Sequence, residues 1–182
     1  MAKKLGVIGA QSIKKSKNKD CKLLRDPMFV GLDPSYNGFA IVVLDKDATI
    51  IEQRLLSSDT NKEAEERILE LEGGFDFIPN IICLHSIYLE GPAFSSSGKF
   101  TLQMGALHYY IRLFLLKKGV SYKIITPGAL KKFVTGTGTA KKELMLLNLY
   151  KKWGVEFNDN NLADAYGLAR MALDEYKRSQ EI

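Results

Sequence analysis

Residues 28–56 hold three short runs rich in apolar and β-branched residues, "MFVGLD", "GFAIVVLD" and "ATIIEQRLL". The gaps between them are the turn Pro-Ser-Tyr-Asn-Gly and a second turn at Asp45-Lys46-Asp47. Connections this short return a chain antiparallel to itself, so the three runs read as a meander. The pattern then changes period. "NKEAEERILELE", residues 61–72, is rich in helix formers, places Ala64, Ile68 and Leu71 at helical spacing, and is expected to end at Gly73-Gly74. "NIICLHSIYLEG", residues 80–91, is apolar enough for a strand buried on both faces, with His85 packed inside it. A helix leading into a buried strand implies parallel pairing, and the sheet becomes mixed.

The remaining chain supplies the flanking layers. A Gly/Ser-rich loop, "GPAFSSSGKF", leads into the apolar-rich helix "TLQMGALHYYIRLFLLKKG", whose Lys117-Lys118-Gly119 ending is a good C-terminus and whose aromatic surface around His108 reads as core or subunit contact. "SYKIIT" reads as a fifth strand, Pro127 opens a short helix, "TGTGT" is a loop, "AKKELMLLNLYKKWG" is a further helix, and a last helix spans about residues 161–178. The fold class is therefore α/β: a five-stranded mixed sheet, three antiparallel strands plus two parallel, flanked by helices. At 182 residues with 46% hydrophobic content, one domain is expected.

Composition narrows the setting. No apolar run approaches the ~20 residues that span a bilayer, and the basic N-terminus lacks a signal-like apolar stretch, so a cytoplasmic protein with no membrane partner is expected. Cys21 and Cys83 show no CxxC pairing, which suggests free thiols rather than a zinc site or disulfide scaffold. Residues 1–27 carry eight Lys or Arg, among them Lys14, Lys15, Lys17 and Lys19, against two Asp, while the whole chain is only +5. The excess is a basic N-terminal arm, either a phosphate-contacting tether or a solubilising tail, ahead of a domain at residues 28–182.

Three acids have meaningful addresses. Asp33 ends the first run before a turn, Glu90 ends "SIYLE" before Gly91-Pro92, and Asp164 lies in the first turn of the last helix. Singly, each has an ordinary role as a turn or helix-terminus residue. Adjacent strand ends can nevertheless present Asp33 and Glu90 side by side, and a helix packed across that edge can add Asp164. Three convergent carboxylates repel unless a cation joins them, and they suit a hard, oxygen-loving Mg²⁺.

The element order resembles the ribonuclease-H-like fold, and the motifs resemble the RuvC-type Holliday-junction resolvases, particularly the smaller phage-encoded members. "GLDPSYNGFAIV", "IYLEGPAF", "TPGALKKFVTGTGTAKKELM" and "NLADAYGLARMA" carry the resemblance over about residues 28–175. The third is the most telling, a P-x-x-x-K followed by G-x-G-x-A-x-K. The resemblance implies a nuclease acting on four-way and other branched DNA by paired phosphodiester hydrolysis that leaves a 5′-phosphate. It also implies a homodimer, with the helix from Thr101 to Lys118 as the contact, and two Mg²⁺ ions per site for which Mn²⁺ can substitute.

Carried onto this chain, the resemblance makes Asp33, Glu90 and Asp164 metal ligands and brings Lys131 and Lys142 to the scissile phosphate. A fourth ligand usually stands one helical turn before the last Asp. Here that position is Asn161, and the charged Asp159 just ahead of the helix is the favoured substitute. Phe94, and secondarily Phe100, match the aromatic that stacks on bases at an opened junction, with Lys99, Lys132 and Lys141 as further DNA contacts. Rival readings are a ribonuclease H or flap nuclease of the same fold, and a junction-binding protein of weak turnover. An actin-like ATPase, whose first phosphate loop "GLDPSYNGFAIV" also resembles, needs two such domains.

Overall fold

The computed structural model describes residues 26–81, 83–92 and 98–181, the side chain of Lys99 excepted. The basic arm through Arg25, with Lys14, Lys15, Lys17 and Lys19, and the loop residue Phe94 lie outside the described residues. Strands β1 (Met28–Asp33), β2 (Phe39–Leu44) and β3 (Ile50–Leu56) form the antiparallel meander. Strands β4 (Leu84–Glu90) and β5 (Lys123–Ile125) add in parallel, giving the order β3-β2-β1-β4-β5. The helices are α1 (Ala64–Phe75), α2 (Gly98–Lys117), α3 (Pro127–Thr135), α4 (Lys142–Trp153) and α5 (Asn160–Gln180). The expected ribonuclease-H-like α/β architecture is the one observed.

The sheet is covered on both faces, and strand alternation assigns the residues. Val30, Leu32, Ile41, Val43, Ile87 and Leu89 pack against α1 and α2, while Phe29, Ala40, Val42, Leu44 and Tyr88 pack against α3, α4 and α5. By the same period of two, Asp33 and Glu90 fall on the α5 face. Helix α5 can lie unusually close there because β1 has no side chain at its midpoint. A Cβ at Gly31 would stand 1.9 Å from the Ala165 carbonyl oxygen and 2.6 Å from the Ala169 nitrogen. Opposite it α5 buries Ala163, Ala165, Ala169 and Ala172, so helix and strand backbones approach directly.

Four local expectations are corrected. Helix α1 does not stop at Gly73-Gly74 but runs through them to Phe75, whose ring meets Phe39 and Phe114 at 5.4 and 5.1 Å. Burying that ring outweighs the roughly 1 kcal/mol that each helical glycine costs. Strand β4 begins at Leu84, after a 3₁₀ turn at Ile78–Asn80, and only Ile87, Tyr88 and Leu89 in it are buried. The cause is the short β5, which pairs with Tyr88, Leu89 and Glu90 and leaves the first half of β4 bonded on the β1 side alone. His85 is consequently exposed rather than packed in the core, its ring edge-on to Phe29 and Tyr176. Cys83, expected as a free thiol, is disulfide-bonded, since spacing along a chain does not reveal which sulfurs a fold brings within bonding reach. Among the described residues no helix is long and apolar enough to cross a membrane.

Candidate active site

Parallel pairing of β1 with β4 sets their C-terminal ends side by side, and Asp33 and Glu90 are the last residues of the two strands. The close crossing of α5 over Gly31 then lowers Asp164 onto the same edge. The three side chains each offer a carboxylate oxygen, and these oxygens all lie within 4.8 Å of one another. Among the described residues this is the one His/Cys/Asp/Glu cluster of metal-binding geometry. The structure thus brings together the three acids singled out from the sequence.

The cluster is buried and under electrostatic stress. Burial pushes Asp33 well above the usual carboxylate range, and its hydrogen bond to Glu90 together with the Glu90 and Asp164 charges adds to the rise. Asp33 is the most enclosed of the three, 8% exposed, in keeping with burial as the first cause of its rise. Glu90 is itself raised, chiefly by burial, while the Asp33 hydrogen bond and the charges of Lys131 and Lys142 pull it back. Asp164 is pushed up to about 7 by burial and then by the Glu90 charge, again with Lys142 and Lys131 opposing. Three carboxylates that resist ionisation together lack positive charge, which a divalent cation supplies. The donor set, all hard carboxylate oxygens, fits such an ion.

The lysines owe their places to the two short helices. Thr126 caps α3 by accepting from the Ala129 amide, Pro127 opens it, and Leu130 and Val134 bury its inner face against α5. Lys131, beside Leu130, is thereby turned toward the acids. Lys142 is the first residue of α4, and its charge is felt by all three carboxylates. Lys132 and Lys141 are exposed near them, and Phe100, at the start of α2, is half exposed.

The two candidates for a fourth ligand are placed differently. Asp159 is the N-cap of α5, its Oδ1 accepting from the amides of Asn161 at 2.8 Å and Leu162 at 3.0 Å. It stands outside the cluster of three, although its charge adds to the upward push on Asp164. Asn161 presses its amide against the turn that follows Asp33, its Nδ2 2.3 Å from where a Gly38 Cβ would be.

That turn is held by a residue whose role the sequence does not announce. Arg67 of α1 lies over the Tyr36 ring at 4.7 Å, donates from Nε to Ser58 Oγ at 2.9 Å and from Nη2 to the Asn37 side chain. Ser58 Oγ in turn donates to the Tyr36 carbonyl at 2.7 Å, and the Tyr36 hydroxyl reaches the Gln103 carbonyl at 3.1 Å. Nothing in "EERILELE" distinguishes Arg67 from a solvated helix cation. Only the fold, by laying α1 beside the first turn, gives it a task.

No family model matches the chain. Over 153 residues, 81% of this chain and 96% of the relative, it is 27% identical to the crossover junction endodeoxyribonuclease RuvC of Sulfurovum sp. (strain NBC37-1). Over 149 residues, 77% of this chain and 94% of the relative, it is 28% identical to the protein of that name from Aliarcobacter butzleri (strain RM4018). In structure it resembles the RuvC of Thermus thermophilus solved with a Holliday junction substrate, with a TM-score of 0.71 and 18% identity over 85% of this chain and 96% of that one. Along most of its length the chain is thus similar in sequence to crossover junction endodeoxyribonucleases named RuvC, and it shares the fold of the Thermus thermophilus RuvC.

Proposed function

We propose that the protein is a Mg²⁺-dependent endonuclease that resolves four-way DNA junctions by paired nicks, each leaving a 5′-phosphate. The observation that carries this reading is the convergence of Asp33, Glu90 and Asp164, flanked by Lys131 and Lys142, on a RuvC-like fold. Asp33, Glu90 and Asp164 would hold the cations. When bound, such ions stabilise both the attacking and the departing oxygen of a phosphodiester. Lys131 and Lys142 offset charge that builds on the phosphate oxygens, and burial of the acids keeps bulk water from screening these charges. Asn161 or Asp159 completes the ligand set. Cleavage of four-way, three-way, flap and RNA/DNA-hybrid substrates across a Mg²⁺ titration tests the reading, and a preference for hybrids or flaps would overturn it.

Paired nicks on a two-fold junction call for a two-fold dimer, and α2 supplies a surface for it. Leu102, Tyr109 and Leu116 recur every seven residues and are 75%, 63% and 60% exposed, with Leu113 at 53% beside them. This is the seam by which two helices pack. Leu113→Glu would leave a monomer by light scattering if the seam is the interface. The basic arm acts as a sequence-independent tether through Lys14, Lys15, Lys17 and Lys19, with Phe94 and Phe100 meeting unstacked bases and Lys99, Lys132 and Lys141 the backbone. Deleting residues 1–27 should flatten the salt dependence of DNA binding by about 0.9 in log–log slope for each phosphate that the arm neutralises.

A further inference from the structure

Two rims flank the acid cluster, and the chemistry above uses one of them. Lys131 and Lys142 belong to α3 and α4, which pack on the Phe29 and Tyr88 face of the sheet. On the other face, where α1 and α2 pack, the rim is the turn that joins Asp33 to β2. Asp33 pairs with Ala40 across β1 and β2, so this turn stands on the same sheet edge as the acids. Its Gly38 meets the side chain of Asn161, one turn of α5 before Asp164. Pro34, Tyr36 and Gly38 are buried, and Asn37 between the last two is exposed.

Although exposed, Asn37 is held in one orientation. Nη2 of Arg67 donates to its side-chain oxygen, while the same guanidinium covers the Tyr36 ring and donates from Nε to Ser58 Oγ. Tyr36 and Ser58, 6% and 9% exposed, are fixed in turn by the hydrogen bonds of Ser58 Oγ to the Tyr36 carbonyl and of the Tyr36 hydroxyl to the Gln103 carbonyl. A guanidinium carries donors only, so the Asn37 amide must turn its oxygen toward Arg67, and the two hydrogens on Nδ2 are what it has left to offer. The ordering of a surface side chain loses rotamer freedom that contact with water alone does not return.

We propose that Asn37 donates from Nδ2 to a phosphate of the cleaved strand, next to the scissile one and on the side away from Lys131 and Lys142, with Arg67 as its positioning residue. The proposal rests on the junction-nuclease reading above. A strand laid across the acid cluster from the lysine rim passes onto this turn, so successive phosphates fall on both rims. The atom on offer selects phosphate over base: asparagine reads a base edge by presenting its acceptor and its donor together, and here the acceptor is engaged by Arg67. A lone donor suits a phosphate oxygen, and the cation bonded to the amide oxygen polarises the group and strengthens that donor. The charges of Arg67 and of Glu65 both reach Tyr36 and oppose each other there, so this rim holds a phosphate by a directed hydrogen bond rather than by excess positive charge.

The test measures binding of four-way junctions by anisotropy in EDTA, with a neutral methylphosphonate replacing one phosphate at a time around the position that is cut in Mg²⁺. Asn37→Ala should weaken binding of the unmodified junction about tenfold, as loss of one charge-assisted hydrogen bond does, and should leave the salt slope unchanged because asparagine is neutral. One linkage next to the cut should carry a similar penalty with the wild-type protein and none with Asn37→Ala. Asn37→Asp keeps an oxygen for Arg67 but has no donor, and should match Asn37→Ala at that linkage. Arg67→Met should lower the penalty there while leaving those at all other linkages as they are, which a general loosening of the fold would not do. Wild-type protein that binds no junction sinks the nuclease reading itself, whereas junction binding with no linkage coupled to Asn37 sinks this contact alone. Wild-type behaviour of Asn37→Asp overturns the proposal by making the donor irrelevant. A coupled linkage on another arm overturns the placement, and a penalty that follows the base instead of the linkage gives Asn37 to a base edge and overturns the phosphate contact.

Discussion

Helix α5 carries two acids that meet the sheet at opposite ends, and their surroundings are reversed. Asp164 sits with Asp33 and Glu90 in a buried cluster whose charges repel, and burial drives it up to about 7. Glu175 lies three turns on, more than half exposed, where its carboxylate accepts from Lys123 at 2.7 Å and from the Tyr88 hydroxyl. These hydrogen bonds hold Glu175 below the usual carboxylate range, while burial and the Glu175 hydrogen bond push Tyr88 up to about 12. One end is electrostatically satisfied by the protein alone; the other is not. Residue type does not distinguish a structural carboxylate from a functional one, but the balance of charge around it does.

The sharpest break between the two ends is in catalysis. Asp33→Asn, Glu90→Gln and Asp164→Asn should each reduce junction cleavage in Mg²⁺ by more than about a hundredfold while leaving junction binding within a few-fold, because they remove cation-binding charge rather than DNA contacts. Glu175→Gln should leave turnover within about twofold. Near-normal cleavage from any of the three cluster variants would dissolve the comparison.

Stability without metal should sharpen it next. Asp164 has a folded value near 7 against an ordinary 3.8, so the folded state binds a proton that the unfolded chain releases. Stability therefore falls as pH rises between those values, and the full penalty is present above pH 7. Asp164→Asn removes that penalty and should raise the melting temperature in EDTA at pH 8 by roughly 5–10 °C, with little gain near pH 4. The variant should also lose most of the wild-type stabilisation by Mg²⁺. An unchanged melting temperature at pH 8 would mean that the cluster is not strained.

A smaller effect should separate the two fourth-ligand candidates. Asp159→Asn keeps a competent helix cap and removes only the charge, whereas Asn161→Ala removes the amide packed on the Gly38 turn. The true ligand is the one whose variant needs several-fold more Mg²⁺ for half-maximal cleavage. Equal and negligible shifts would leave a site of three carboxylates.

Much of this site is legible in the sequence, because strand ends and helix starts are marked by local chemistry. Asp33 before Pro34, Glu90 before Gly91-Pro92, and Asp164 just inside a helix need only the element order to converge. What is not legible depends on distance in space rather than along the chain. The tight crossing at Gly31 reads in sequence as an ordinary strand glycine, and the exposure of His85 follows from how few residues β5 contributes.

At the satisfied end the smallest effect is expected, and its sign is opposite to that at Asp164. Because the folded-state value of Glu175 is lowered, its ionisation favours the folded protein above the ordinary carboxylate range, and that contribution disappears as pH falls through the lowered value. Glu175→Gln should thus lower the melting temperature slightly at pH 8, by about 1–2 °C, and by less near pH 3, as expected of an ion pair open to solvent. Added salt should shrink the difference further, whereas the gain in Asp164→Asn, seated in a buried cluster, should survive it. If both variants moved the melting temperature in the same direction at pH 8, the two ends of α5 would not differ in charge balance, and the case for Asp164 as a cation-binding residue would lose its physical basis.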